Sequence, residues 1–276
     1  MLYFYFFVSV IILFAADRIY PFLQTANAIW LVPLLLLGMM LVFVLIHLLV
    51  LVVSILVVNL DKESEKGNKY YRKLINCTLP MLFTLCRIKV HVTGKELIPE
   101  NEKVLLVSNH FNDVDPVMFL KEFPELELGF IAKKEVYTDL KFVAKAMKKL
   151  YCLPIDRENN REAIKTILKA VSYIKEGKAS IGIFPEGYTS LDIKLHEFRN
   201  GAFKIATKAN APIVVCTLVN TEKVFRNLIR KRTDVYLDVV KVISKEEVAQ
   251  MHTDKIGEIV HAAMKENIEK RQKDIK

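Results

Sequence analysis

The chain has 276 residues, of which 52% are apolar and 26% are charged, and its formal net charge is +9 at pH 7. The charges are segregated, because residues 1–60 contain only two of them, Asp17 and Arg18. This pattern excludes a disordered chain, a collagen-like repeat and a wholly soluble enzyme, and it indicates a membrane segment joined to a basic globular domain.

Residues 1–60 are predicted to form an N-terminal membrane anchor of one or two helices. The uncharged stretch 28–60 would extend about 50 Å as a helix, well beyond the roughly 30 Å of a bilayer core, and Pro33 and Gly38 are positions where it could break. Residues 1–16 form a second, shorter apolar run. A cleaved signal peptide would also explain an apolar start, but the missing positive charge at the N-terminus favours a retained hairpin.

Residues 61–87 are predicted to form a basic juxtamembrane amphipathic helix. Lysine and arginine are concentrated at its start, so the positive-inside rule puts the following domain in the cytoplasm, at the cell membrane. Four cysteines without metal or disulfide spacing agree with a reducing compartment. The apolar stripe from Ile75 to Cys86 could lie on an anionic membrane surface or pack on the domain core, and the sequence leaves both open.

Residues 88–276 alternate between strand and helix patterns, which predicts an α/β fold with a largely parallel sheet flanked by helices. Asn160 is the expected N-cap of a strong helix that ends at Gly177. The predicted strands are 89–93, 104–108, 130–133, 153–155, 179–184, 213–219 and 235–240, and the other helices are 70–87, 116–123, 139–149, 202–209 and 255–270.

Polar clusters directly follow three of the predicted apolar strands, in residues 109–116, 156–157 and 185–190. Ligands of open α/β sheets bind at the carboxyl ends of the strands. We therefore expect these clusters to form the functional site.

His110 and Asp115 are five residues apart, so on one helix they would point about 140° away from each other. Asp115 precedes Pro116, however, and this favours an N-cap at Asp115 with a turn before it, so that the two side chains converge. A carboxylate on one imidazole nitrogen leaves the other as a base. The sequence offers no obvious serine to complete a triad, which indicates that the substrate supplies the hydroxyl. The same spacing would also suit a structural loop histidine or a metal site with Asp113, and no metal is assigned.

Four motifs resemble, in order and spacing, those of the glycerolipid acyltransferase family, with the strongest likeness to bacterial 1-acyl-sn-glycerol-3-phosphate (lysophosphatidate) acyltransferases. The likeness covers roughly residues 85–245, and the motifs are Asn109-His110 with Asp115, Arg157, Phe184-Pro185-Glu186-Gly187, and Ala211-Pro212-Ile213-Val214. The resemblance implies transfer of a fatty acyl group from acyl-CoA or acyl carrier protein to the sn-2 hydroxyl of lysophosphatidate, giving phosphatidate for phospholipid synthesis. It implies no cofactor beyond that co-substrate.

The same resemblance implies roles for individual residues. His110 would be the general base and Asp115 its orienting partner. Arg157, with Lys133, would bind the acceptor phosphate. Glu186 would position a glycerol hydroxyl or a phosphate-binding cation, Gly187 would let the backbone approach the ligand, and Asn109 belongs to the same substrate-binding set.

The sequence departs from the family pattern after Glu186-Gly187, where the family usually continues Thr-Arg-Ser and this chain has Tyr188-Thr189-Ser190. Arg199 is the candidate replacement for the missing arginine. The acceptor could therefore be another lysolipid or glycerol-3-phosphate. Two further functions compete with acyl transfer: a thioester or phosphoester hydrolase, and a non-catalytic membrane scaffold. The basic charge fits anionic lipid, a phosphorylated acceptor and acidic acyl carriers, so no nucleic acid is expected.

Overall fold

The structure is a computed structural model that describes residues 1–60, 69–190 and 192–275. Two long apolar helices come first, and an alternating α/β region follows them. The helices are α1 Leu2–Ile19, α2 Ala28–Leu56, α3 Lys69–Leu85, α4 Asp115–Glu122, α5 Lys134–Asp139, α6 Lys141–Lys149, α7 Asn160–Lys175, α8 Lys204–Ala209, α9 Val224–Asn227, α10 Lys245–Gln250 and α11 Thr253–Asp274. The strands are β1 Ile88–Thr93, β2 Leu105–Val107, β3 Gly129–Lys133, β4 Leu153–Ile155, β5 Ile181–Ile183, β6 Ile213–Val219 and β7 Thr233–Ile243.

The strands form a seven-stranded sheet in the order β1-β7-β6-β2-β5-β3-β4. Neighbours are parallel except for β6 and β7, which pair antiparallel. The central strands β2, β5 and β6 are buried along their whole length, as expected for a parallel sheet covered on both faces, and this explains their unbroken apolar sequences. The predicted α/β fold with a largely parallel sheet is confirmed.

Helices cover both faces of the sheet. Residues of α7, α8 and α11 join one apolar core with Val107 and Ile213, while α3 and α4 close a second core around Leu106 and Val214 on the other face. Since alternate residues of a strand point to opposite faces, β2 and β6 contribute to both cores.

Several element boundaries differ from the predictions. The predicted helix 139–149 is α6, which begins two residues later, at Lys141, and the short helix α5 before it was not predicted. Asn159, not Asn160, caps α7, because its side chain accepts hydrogen bonds from the amides of Arg161 and Glu162. Asp115 is the first residue of α4 and not its N-cap, since its carboxylate faces the preceding turn.

The N-terminal helices α1 and α2 are both long and apolar enough to cross a membrane, judged by length and composition. Helix α2 runs unbroken through Pro33. Membrane helices commonly tolerate a proline. The two helices are associated with each other and with α3 by a polar chain in which His47 Nδ1 lies 2.9 Å from the Tyr5 hydroxyl and Nε2 lies 2.8 Å from Thr78 Oγ1. Two apolar helices of this kind suggest membrane association.

Helix α3 packs its apolar stripe on the globular region. Leu79, Met81 and Phe83 are buried, and Ile75 and Phe83 belong to the core shared with α4. The structure therefore places this part of the stripe on the domain core. The first basic residues of the predicted juxtamembrane helix, at 61–68, lie outside the described residues.

Candidate active site

The predicted site residues follow four adjacent parallel strands. His110 follows β2, Glu186 follows β5, Lys133 ends β3 and Arg157 follows β4. Because these strands are parallel, their carboxyl ends share one edge of the sheet. The topology thus brings all three polar clusters to that edge, as the sequence predicts.

His110 and Asp115 converge across a tight turn. Asp115 Oδ2 lies 2.9 Å from His110 Nδ1 and also accepts hydrogen bonds from the amides of Phe111 at 2.7 Å and Asn112 at 2.9 Å. The Asp115 side chain is fully buried, while the His110 side chain is 15% exposed. A carboxylate only accepts hydrogen bonds, so Nδ1 carries the proton and Nε2 is left as the basic nitrogen.

An aromatic stack fixes the plane of the imidazole. The rings of His110 and Phe184 lie 4.1 Å apart and 13° from parallel. Phe130 stacks behind Phe184 at 5.7 Å, also at 13°. The His110 ring is therefore held by a hydrogen bond at Nδ1 and by packing on one face, which preorganises Nε2 for proton transfer.

Glu186 is buried, and both of its carboxylate oxygens accept hydrogen bonds from protein groups. Its Oε1 accepts from the His110 amide at 3.1 Å, and its Oε2 accepts from Ser190 Oγ at 2.7 Å and from the His196 amide at 2.9 Å. The Ser190 amide in turn donates to the His110 carbonyl at 2.7 Å. Glu186 therefore ties the loop after β5 to the loop after β2, which gives it a positioning role, and its contact with a glycerol hydroxyl or a cation stays a prediction.

Asn109 is likewise buried and used within the protein. Its Nδ2 donates to the Leu218 carbonyl and its Oδ1 accepts from the Leu218 amide, each at 2.8 Å. The pair joins the end of β2 to the end of β6. The predicted substrate contact of Asn109 finds no support in this geometry, because both ends of the amide are occupied by backbone.

Arg157 lies close to a second arginine, Arg199. Burial and the nearby charge of Arg199 lower the pKa of the Arg157 guanidinium. Asp156, which could have paired with Arg157, is instead engaged by Lys134, whose Nζ lies 2.7 Å from Asp156 Oδ2. Among the residues that the structure describes, neither arginine has a carboxylate partner within ion-pair distance.

Gly187 provides the space for Arg199. Its φ is +82°, and a Cβ at this position would lie 3.1 Å from Arg199 Nε. Only glycine adopts this backbone conformation without strain. Lys133 is exposed and pairs in register with Ile155, two residues before Arg157. The three cations of Lys133, Arg157 and Arg199 therefore lie along one stretch of the carboxyl edge.

The sequence did not predict the contributions of three residues to the site, which are Phe184, Ser190 and His196. Phe184 belongs to the third motif, but nothing in its spacing indicated a stack on His110. Ser190 and the His196 amide act through Glu186, so only the three-dimensional course of the loop reveals them.

Comparison with known proteins bears on this site. The family model for acyltransferases matches residues 89–219. A probable 1-acyl-sn-glycerol-3-phosphate acyltransferase of Mycoplasma pneumoniae is 36% identical over 138 residues, which cover 49% of this chain and 50% of the relative. A 1-acyl-sn-glycerol-3-phosphate acyltransferase of Borreliella burgdorferi is 29% identical over 187 residues, which cover 67% of this chain and 74% of the relative. The aligned segment thus spans about half the length of the Mycoplasma protein.

A solved structure resembles most of the fold. The crystal structure of the 1-acyl-sn-glycerophosphate acyltransferase PlsC from Thermotoga maritima superposes with a TM-score of 0.63, covers 83% of this chain and 93% of its own, and is 20% identical in sequence. The matched segment from 89 to 219 contains all four motifs on which the sequence resemblance rests. The match of this segment to the family model and the similarity to these relatives confirm the resemblance to acyltransferases.

Proposed function

We propose that the chain transfers a fatty acyl group from an acyl thioester to the sn-2 hydroxyl of 1-acyl-glycerol-3-phosphate and so forms phosphatidate. The observation that carries this proposal is the buried Asp115 carboxylate, which holds His110 with Nε2 as its free base. The relatives named for this activity support the choice of acceptor.

In the proposed reaction, His110 Nε2 takes the proton of the acceptor hydroxyl while that oxygen attacks the thioester carbonyl. The new C–O bond forms, the C–S bond breaks, and the imidazolium returns the proton to the departing thiolate. Asp115 stabilises the imidazolium through its hydrogen bond to Nδ1. General base catalysis of this kind contributes typically about 10² to 10⁴ in rate.

The phosphate of the acceptor would bind Arg157 and Arg199, with Lys133 alongside. Two close guanidinium groups repel each other until an anion neutralises them, and the planar fork of arginine suits phosphate oxygens. Arg199 would thereby replace the arginine that the family pattern has near Tyr188. A free phosphate on the acceptor is the feature that this cluster would select.

The acceptor and product are lipids, so a membrane-held enzyme is part of the proposal. We infer a cell-membrane location with the α/β domain in the cytoplasm, where acyl-CoA and acyl carrier protein are both available. The acyl thioester is the co-substrate, and the proposed chemistry uses no further cofactor and no metal ion.

The test uses the full chain in detergent with radiolabelled acyl-CoA or acyl carrier protein, with lysophosphatidate present or absent. We expect phosphatidate only when the acceptor is present, in amounts that EDTA does not change. The His110→Ala variant should lose the product, while His252→Ala, which alters a side chain that is 80% exposed, should keep it. Free fatty acid released without acceptor would instead indicate a hydrolase.

A further inference from the structure

We propose that residues 224–232 form a second membrane-contact element, which docks on the surface of an anionic bilayer beside the active site. The inference goes beyond the proposed reaction and stands on the exposure, charge and position of this segment. We call residues 224–232 the β6–β7 segment.

The β6–β7 segment exposes large apolar side chains next to basic ones. Phe225, Leu228 and Ile229 are 59%, 40% and 69% exposed. Arg226, Arg230 and Lys231 are exposed between and after them, and within the described part of the chain none of these three cations has an ion-pair partner. Exposed apolar side chains flanked by lysine and arginine bind an anionic lipid surface. The apolar side chains then lie at the boundary of the acyl chains, and the cations contact headgroup phosphates.

Contacts with the domain fix the backbone of the β6–β7 segment while these apolar side chains point to solvent. Val224 is buried in the core, and the Asn227 carbonyl accepts from the amides of Arg230 at 2.8 Å and Lys231 at 2.9 Å. Ile229, a β-branched residue, has a φ of +54°. That conformation is costly for such a side chain, and it persists only where the surrounding structure enforces it. An exposed isoleucine in this conformation points to a use outside the folded core.

The segment lies where the N-terminal hairpin leaves the domain. The Thr233 amide, directly after the segment, donates to the Arg87 carbonyl at 3.0 Å, which places the segment at the C-terminal end of α3. Helix α2 runs antiparallel to α3, because His47 contacts Thr78 while the later Ser54 contacts the earlier Tyr70. The N-terminal half of α2 therefore extends beyond the end of α3, on the side of the β6–β7 segment.

The length of this projection matches a bilayer. From residue 28 to His47, α2 rises about 30 Å, which is the thickness of a hydrocarbon core. The membrane surface would then lie near the level of His47 and the end of α3, within reach of the β6–β7 segment. The carboxyl ends of β6 and β2 share this edge of the sheet, so docking of the segment would hold the active-site edge against the lipid.

Tryptophan reporters test the contact without any need for catalysis. The chain has one tryptophan, so Phe225→Trp is made in a Trp30→Phe background and the full chain is reconstituted in vesicles of phosphatidylcholine and phosphatidylglycerol with brominated acyl chains. We expect blue-shifted, strongly quenched emission. Leu97→Trp, at an exposed site on the opposite edge of the sheet, should stay unquenched. Emission from Phe225→Trp that matches the Leu97→Trp control would overturn the proposal.

A charge variant tests the anionic preference. Arg226→Gln/Arg230→Gln/Lys231→Gln should lose most of the extra quenching that phosphatidylglycerol produces over phosphatidylcholine alone, because each basic side chain near an anionic surface changes binding about fivefold. Lys175→Gln/Lys208→Gln/Lys241→Gln removes equal charge from exposed positions at the opposite edge and should leave the quenching unchanged. An equal loss in both triple variants would contradict a localised contact. Thermal unfolding checks that each variant is folded, and since quenching needs no turnover, the result is independent of the proposed reaction.

Discussion

The two ends of the candidate site are organised differently. Around His110, the polar groups are joined by hydrogen bonds, with Asp115 and Glu186 each accepting three. At the other end, Arg157 and Arg199 are near each other, and burial together with the charge of Arg199 lowers the pKa of the Arg157 guanidinium. The first end is built before any substrate arrives, whereas neither arginine of the second end has an ion-pair partner among the described residues.

This difference matches what the proposed reaction requires of each end. A base must be correctly placed before the reaction begins, because reorganisation during the chemical step raises the barrier. A phosphate-binding end profits from unsatisfied positive charge, since the anion then binds without displacing an internal partner. Changes at the first end should therefore reduce turnover, and changes at the second should reduce affinity.

His110→Ala should have the largest effect. Loss of the base should lower kcat by about 10³, within the range usual for general base catalysis, while the KM for the acceptor stays nearly constant. Steady-state kinetics of the purified variant measures both. An unchanged kcat would show that His110 is not the base.

Asp115→Asn should have a smaller but still severe effect. The amide can no longer accept all three hydrogen bonds as a charged group, and it can favour the wrong imidazole tautomer, so kcat should fall on the order of 10². The same kinetic comparison checks this ranking. A greater loss for Asp115→Asn than for His110→Ala would contradict the assigned roles.

Glu186→Gln should weaken the hydrogen bonds that join the loops after β2 and β5. Gln keeps only one acceptor oxygen, so it loses either the bond from the His110 amide or the bonds from Ser190 and His196, and a buried donor without a partner costs about 1–3 kcal/mol. We expect a lower free energy of unfolding in chemical denaturation, together with a moderate loss of kcat. Glu197→Gln, at an exposed position in the same loop, is the control, and equal stability of the two variants would argue against the positioning role.

Arg157→Ala should have the smallest effect on activity, and it should act on KM instead of kcat. The KM for the phosphorylated acceptor should rise about tenfold with kcat little changed, because binding is lost equally in the ground and transition states. Stability should not fall, since burial and Arg199 both disfavour the charged guanidinium in the folded protein. Arg161→Ala, on the exposed start of α7, serves as the control. A drop in kcat alone would contradict ground-state phosphate binding.

The sequence predicted the strands of the sheet better than the bounds of the helices. Strands 153–155 and 213–219 have the predicted bounds, because each is an apolar run with clear polar or turn residues at its ends. Helix α5, Lys134–Asp139, was not predicted, and the helix predicted at 139–149 begins only at Lys141. A six-residue helix has fewer than two turns and shows no apolar period, so a local pattern indicates long elements more reliably than short ones.

The same limit applies to the site. The spacing of His110, Asp115 and Pro116 was sufficient to predict a turn that brings imidazole and carboxylate together, because a proline restricts the residue before it. The direction of the Glu186 side chain was not predictable, since a carboxylate at a strand end can face a ligand or the protein. Arg199 is distant in sequence from Arg157, and only the close approach at Gly187 and the shared charge reveal them as a pair.

The most direct test of this division of labour compares acceptors with and without a phosphate. Wild-type chain and Arg157→Ala/Arg199→Ala are assayed with lysophosphatidate and with monoacylglycerol, which lacks the phosphate, with one acyl-CoA as donor. We predict that the wild type strongly prefers lysophosphatidate in kcat/KM, and that the double variant loses this preference while its activity on monoacylglycerol is retained. A double variant that keeps the wild-type preference, or loses activity on both acceptors equally, would contradict the account.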